Sequence, residues 1–329
     1  EDISRFYFED SRITDQLRML RHRVRSGVGD IMPDLLRARD AANDIGRNIS
    51  MTAGRIDDRA STEQLITANF KRVQEGLRVV EENLKLSGEY NRAKYYEGFR
   101  FDSYTIEKRF AALFKKKFKM QAFKEGIYCI TAEVHSLGRS NIRVVREMID
   151  AGVRIIQYRE KDKSLLQKYR ECEEIRKMTA ESGAVFIVND HIDIALSVGA
   201  DGVHIGQDDF PVEKARELVG DDMIIGVSTH SPDQAQHAVK NGADYIGAGP
   251  VYKTATKKDV CEPVGLDYIK YVAENINIPF VAIGGIKEYN IADVYRKGAR
   301  CFALVTEITG AENIEEKIGR LNAILKNCK

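Results

Sequence analysis

The chain of 329 residues exceeds the roughly 100–200 of a typical domain, so one large barrel or two units is the expectation. It is 43% hydrophobic and 31% charged, with no run of about eighteen apolar residues, which argues against a bilayer span and against wholesale disorder. Lysine and arginine total 51 against 50 acidic residues, which argues against bulk attraction to nucleic acid or an anionic membrane, so any phosphate site must be local.

The cysteines Cys129, Cys172, Cys261, Cys301 and Cys328 lie far apart with no Cys-x-x-Cys pair, and no secretory leader with a cleavage site opens the chain. Free thiols in a reducing cytoplasm are expected. Up to residue 120 there are 24 basic and 19 acidic residues, seven glycines and a single proline, Pro33; the remainder is mildly acidic and holds 18 glycines and five prolines. That shift predicts a mainly α-helical unit over residues 1–122 and a turn-rich α/β unit over 123–329. In the first, Phe70, Val73, Leu77, Val80 and Leu84 recur at spacings of three and four, the stripe by which an amphipathic helix meets a core. The run Lys115-Lys116-Lys117-Phe118-Lys119 reads as a solvated helix end.

From residue 126 the rhythm changes to short β-rich runs, each followed by a helix-compatible polar stretch: 127–131, 155–159, 185–189, 202–205, 224–228, 245–249, 280–284 and 301–305. Their near-continuous apolar character suits parallel strands covered by helices. Eight such units predict an α/β fold of the (β/α)8 TIM-barrel class, with a doubly wound open sheet as the alternative, because sequence does not show closure.

In such a barrel the reactive groups sit where strands enter their following loops. Strand two ends in Gln157-Tyr158-Arg159-Glu160-Lys161, and alternation puts Gln157, Arg159 and Lys161 on one side. An amide and two cations can hold a diphosphate, or Arg159 can simply pair with a carboxylate at a solvated strand end. Strand three ends in Asn189-Asp190 and strand four runs into Gln207-Asp208-Asp209, so two carboxylates from neighbouring strands can face one point, a donor set for Mg²⁺. One of Asp208 and Asp209 is expected to cap the next helix. His191 and His204 fit no zinc spacing and read as ordinary, partly buried imidazoles. Strand five ends in Ser228, and the loop after strand six carries Thr254, Thr256 and Lys257, hydroxyls and a cation for a second anion or else a mobile basic loop. Gly284-Gly285 after strand seven and Val305-Thr306 after strand eight occupy the loops that recurrently bind phosphate in this architecture.

Taken together, Tyr128–Thr131, Gln157–Lys161, Val188–Asp190, Gly202–Asp209, Gly226–His230, Gly247–Lys258 and Ala282–Ile286 resemble thiamine phosphate synthase from Tyr128 to about Lys317. The resemblance implies a transferase that joins hydroxymethylpyrimidine diphosphate to a thiazole phosphate with Mg²⁺, releasing pyrophosphate. Carried over by motif, Gln157, Arg159, Lys161 and Asn189 would hold the pyrimidine diphosphate. Asp190 and Asp209 would bind the metal, and Ser228 and Lys257 would meet the departing pyrophosphate. Thr254, Thr256, Gly285, Val305 and Thr306 would surround the thiazole phosphate. The match departs at Val305-Thr306-Glu307-Ile308, where the family commonly has a serine followed by Ala-Ile. The front unit, through Ala68–Glu82 and Leu20–Arg23, resembles a small domain often fused ahead of this synthase that phosphorylates hydroxymethylpyrimidine phosphate. That implies ATP as a second cofactor, with Asn69, Arg72, Glu75, Arg78, Arg21 and His22 as candidates. The residues themselves show no GxxxxGK[ST] cradle, and these six can equally be surface pairs on helices. Small-molecule partners are expected, with no nucleic acid and no membrane; a homo-oligomer is compatible with the sequence. A thiazole tautomerase on the same barrel would need neither the diphosphate trio nor the carboxylate pair, and a sensor of thiamine intermediates would bind without turnover.

Overall fold

The computed structural model describes residues 1–38, 61–254, 256 and 261–329. They fall into two compact units, Glu1–Phe114 and Lys115–Lys329.

The front unit is helical: Asp2–Phe6, Ser11–Ser26, Met32–Arg37, Thr62–Leu86 and the first part of Tyr90–Met120. Side-chain oxygens start two of these helices, Asp10 accepting from the Ile13 N–H and Ser61 from the Gln64 N–H, each satisfying a backbone donor that has no partner within its helix. The core stripe of Thr62–Leu86 is Ile66, Phe70, Gln74, Leu77, Glu81 and Leu84. Val73, expected in that stripe, is exposed. The helical period puts Gln74 and Glu81 on the core face instead, where polar partners make burial tolerable: Gln74 donates to Glu107 at 2.7 Å, while Glu81 meets Lys85 at 2.6 Å and Arg100 at 3.1 Å. Lys85 and Arg100 together hold the Glu81 carboxyl below its ordinary range despite burial.

The second unit is a closed barrel of eight parallel strands in sequence order: β1 Gly126–Ile130, β2 Ile155–Tyr158, β3 Val185–Asn189, β4 Gly202–Ile205, β5 Ile224–Thr229, β6 Tyr245–Ala248, β7 Phe280–Ile283 and β8 Cys301–Leu304. Pairing of Gly126 with Cys301 and Tyr128 with Ala303 closes the ring, which eliminates the open-sheet alternative. Alternation splits each strand between two cores. Ile127, Ile156, Phe186, Val203, Ile225 and Phe302 face the surrounding helices, whereas Tyr128, Ile155, Ile187, Ile224, Tyr245 and Val281 fill the barrel. The interior positions Gly202, Gly226 and Gly247 give up volume to such large neighbours; a Cβ on Gly202 would stand 2.7 Å from Ile187 Cδ1 and 2.6 Å from the Ile224 carbonyl oxygen. The lysine run is not simply solvated. Within the second unit Lys116 pairs with Asp244 at 2.7 Å and Lys119 with Asp201, residues that lead into β6 and β4. Burial lowers the pKa of both ammonium groups, against the opposing pull of their carboxylates.

No helix among the described residues is long and apolar enough to cross a membrane. The five cysteines are free thiols.

Candidate active site

A cavity of about 390 Å³ opens at the carboxyl ends of the strands. Gln157 lines it from β2 with Arg159 and Lys161 from the segment just beyond, Asn189 from β3 with Asp190 directly after it, Asp209 from the loop after β4, and Ser228 from β5. Thr254 and Thr256 join them from the loop after β6, Gly285 from that after β7, and Val305 and Thr306 from the end of β8. Lys257 lies outside the described residues.

The β2 end is fastened from behind. Thr131 Oγ1 accepts from the Arg159 N–H at 2.9 Å. Glu160, on the opposite side of the alternation, accepts from the Glu133 N–H at 2.8 Å and from Asn141 Nδ2 at 2.9 Å. Lys163 bridges Glu133 and Glu171, and the Tyr158 hydroxyl donates to Glu171 at 2.8 Å. These contacts tie down the residues between and beyond Arg159 and Lys161 while those two side chains stay at the cavity wall.

Lys161 Nζ stands 3.4 Å from Asp190 Oδ2. Asp190 takes φ 62, a left-handed conformation uncommon for a residue other than glycine and characteristic of strained functional positions. Burial, and then the adjacent Asp209 carboxyl, push the Asp190 carboxyl above its ordinary range, with Lys161 pulling the other way. Two neighbouring carboxyl groups, Asp190 partly buried and Asp209 exposed, are a poor arrangement by themselves and a good one around a hard cation. Among the described residues no group of three or more His, Cys, Asp or Glu side chains is placed to hold a metal unaided. A pair of carboxylates completed by water and substrate oxygens is the donor set Mg²⁺ accepts, so these residues fit the ion. Neither Asp208 nor Asp209 caps the following helix: it starts after Pro211 with no side-chain cap, and Asp209 closes its own loop by accepting from the Gly206 N–H at 2.7 Å.

On the far side, Gly284 and Gly285 both have positive φ, 95° and 65°, and the β6 loop packs onto them. A Cβ on Gly285 would lie 2.7 Å from Tyr252 Cβ and 2.8 Å from the Lys253 carbonyl oxygen. Thr254 Oγ1 donates to Thr256 Oγ1 at 3.1 Å. Sequence reasoning missed Lys287, which lines the cavity, donates to Thr306 Oγ1 at 3.3 Å and pairs with Glu307 at 3.1 Å. It also missed the aromatic floor of Tyr128, His204 and Tyr245. The signal for Lys287 was its place three residues beyond Gly284.

In the front unit, Asn69, Arg72, Glu75 and Arg78 lie on the exposed side of Thr62–Leu86, and Arg21 and His22 are exposed on Ser11–Ser26. Arg21 pairs with Glu1 at 2.8 Å, and Asn69 donates to the Leu65 carbonyl at 2.9 Å. None of the six lines the cavity of about 360 Å³ between Thr62–Leu86 and Tyr90–Met120, whose walls include Lys71, Tyr104, Glu107 and Phe110.

Residues 127–308 match the family model described as thiamine monophosphate synthase, and residues 1–109 match that of the ThiD2 family. The thiamine-phosphate synthase of Pelotomaculum thermopropionicum is 64% identical over 199 residues, 60% of this chain and 91% of that protein. The thiamine-phosphate synthase of Synechocystis is 35% identical over 323 residues, 98% of this chain and 90% of that one, so the likeness extends through both units. Among solved structures, thiamine phosphate pyrophosphorylase from Pyrococcus furiosus superposes with a TM-score of 0.58 at 34% identity, covering 63% of this chain and 98% of that one. A family match over more than half the chain and a relative aligned along nearly all of it agree with the barrel and its polar mouth: the chain belongs to the thiamine monophosphate synthase family, and it is a transferase.

Proposed function

We propose that the barrel mouth joins hydroxymethylpyrimidine diphosphate to a thiazole phosphate, forming thiamine phosphate and pyrophosphate. The observation that carries this reading is the sharing of one cavity by the cations Arg159 and Lys161 and the carboxyls Asp190 and Asp209. A polyanion and its counter-ion need both signs at one place; a tautomerase would need neither group. Asp190 and Asp209 would hold Mg²⁺, which when bound supplies charge neutralisation to diphosphate oxygens. Arg159 offers a planar fork to phosphate oxygens and Lys161 a point charge, and the sequence assigns Lys257 as a further cation.

An electron-rich aminopyrimidine can release diphosphate to leave a stabilised cation. The protein's task is then to stabilise charge on the leaving group, with no side-chain nucleophile required. Gln157 and Asn189 orient the pyrimidine end, and Ser228 meets the leaving group. Thr254, Thr256, Gly285, Val305 and Thr306 anchor the thiazole phosphate, so that its ring nitrogen captures the cation before water does. Mixing the two substrates with Mg²⁺ and the full chain should release pyrophosphate and thiamine phosphate in equal amounts; no release from folded protein overturns the reading. The front unit is proposed to make the diphosphate from the monophosphate and ATP, a reading supported by the match of residues 1–109 to the ThiD2 family. Incubation of the full chain with pyrimidine monophosphate and ATP should yield ADP and the diphosphate, and recovery of the monophosphate alone removes the kinase assignment.

A further inference from the structure

Beneath the cavity runs an unbroken line of hydrogen bonds connecting two of the site residues through three side chains to which no role has yet been given. Gln157 Nε2 donates to the Tyr128 hydroxyl at 2.8 Å. The hydroxyls of Tyr128 and Tyr245 are 2.9 Å apart. Tyr245 meets His204 Nδ1 at 2.9 Å, and His204 Nε2 meets Ser228 Oγ at 2.9 Å. Tyr128 and Tyr245 are completely enclosed, and burial keeps both phenols protonated by raising their pKa.

Each phenol has one proton to give, and with each of those protons used within the line the direction of the first bond sets every later one. With the Gln157 nitrogen donating to Tyr128, the Tyr128 proton goes to Tyr245 and the Tyr245 proton to His204 Nδ1. A neutral imidazole accepting at Nδ1 carries its hydrogen on Nε2, and that N–H donates to Ser228 Oγ. The Ser228 proton is then directed elsewhere, and the serine lines the cavity. In the opposite polarity Ser228 would spend its proton on His204 and turn lone pairs towards an incoming polyanion, which accepts hydrogen bonds and offers none.

We propose that His204 is a positioning residue: held as its Nε2–H tautomer by Tyr128 and Tyr245, it orients the Ser228 hydroxyl as a donor to the departing diphosphate. The same polarity assigns the Gln157 amide oxygen to accept from an amino group on the ligand, so one line of bonds sets an acceptor at the amine end and a donor at the phosphate end. The inference rests on the diphosphate-releasing reaction proposed above and deepens it, since an imidazole first read as an ordinary partly buried one acquires a specific role.

The test uses the full chain with both substrates and Mg²⁺, reading kcat and KM for the pyrimidine diphosphate separately. Ser228→Ala should lower kcat about 10²-fold, the scale for removing one donor to developing negative charge, with KM little changed. His204→Asn, whose amide reaches the Nδ1 side, should lower kcat equally, and the double variant should be no worse than either single one. His204→Gln, whose amide nitrogen can take the place of Nε2, should recover at least about tenfold over His204→Asn. Losses that multiply in the double variant, or a glutamine no better than asparagine, overturn the proposal. Should His204→Asn fail to fold, ¹⁵N-histidine NMR of the unaltered chain decides the tautomer, with the resonance assigned by its loss in His204→Gln. Hydrogen on Nε2 is expected, and hydrogen on Nδ1 overturns it. If the unaltered chain releases no pyrophosphate, the reaction assignment has failed, and the NMR result still decides the direction of the bonds.

Discussion

Gly226→Ala adds one methyl group at a crowded point of the barrel interior. The new Cβ would fall within the van der Waals envelope of Tyr245 Cζ, Cε1 and the hydroxyl oxygen, and the tyrosine is fully buried. The ring cannot move without loosening its hydroxyl from Tyr128 and His204. Overpacking of this kind costs about 1–3 kcal/mol, and stranding buried hydrogen-bonding groups about 1–3 kcal/mol more, so a loss of about 2–6 kcal/mol is expected. For a unit of this size that lowers the barrel's melting temperature by roughly 4–24 °C. The same substitution at Gly76, in the middle of the Thr62–Leu86 helix with nothing within 4 Å of the new Cβ, should instead raise stability by about 0.5–1 kcal/mol through helix propensity. Calorimetry of the full chain should therefore show one transition moving down in the first variant and one moving up in the second. A Gly226→Ala protein that melts within about 2 °C of the parent would refute the claim that Tyr245 is held immobile, since less than about 1 kcal/mol would then have been lost.

Arg159→Gln keeps a polar end but shortens the side chain and removes the charge; kcat for pyrophosphate release should fall at least about 10²-fold, as steady-state assays would show. The raised pKa of Asp190 means that the fold prefers this carboxyl protonated, so its contribution to stability is present at low pH and is lost as pH rises through the folded-state pKa. Asp190→Asn should accordingly raise the melting temperature at neutral pH without Mg²⁺, by a margin that shrinks on acidification, while abolishing stabilisation by Mg²⁺ with pyrophosphate. Melting curves across pH, with and without the ion, check both halves. Gly285→Ala forces a side chain into a left-handed backbone against Tyr252 and Lys253, and should raise KM for the thiazole phosphate while leaving KM for the pyrimidine diphosphate unchanged.

What the sequence made legible was local. Strand runs announced themselves by β-branched and apolar residues; β2 itself ends at Tyr158, so a strand's period of two accounts for Gln157 alone, while Arg159 and Lys161 reach the same cavity from the segment just beyond the strand. The helical period was equally local, yet a search restricted to apolar residues took Val73 for a core position and passed over Gln74 and Glu81, whose burial depends on Glu107 and Arg100 on the next helix. The hydrogen-bonded floor was invisible for a related reason: Tyr128 and Tyr245 are 117 residues apart, and only closure of the barrel makes them neighbours. Lys116 and Lys119 looked like surface charge until Asp244 and Asp201 were placed opposite them.

Binding of inorganic pyrophosphate, measured by titration calorimetry with and without Mg²⁺, tests most directly whether the barrel mouth holds the leaving group through opposed charges. The unaltered chain should bind it with Mg²⁺ and far more weakly without, and both Arg159→Gln and Asp190→Asn should lose most of that affinity. Unchanged binding in both variants, or binding indifferent to the ion, would contradict the account.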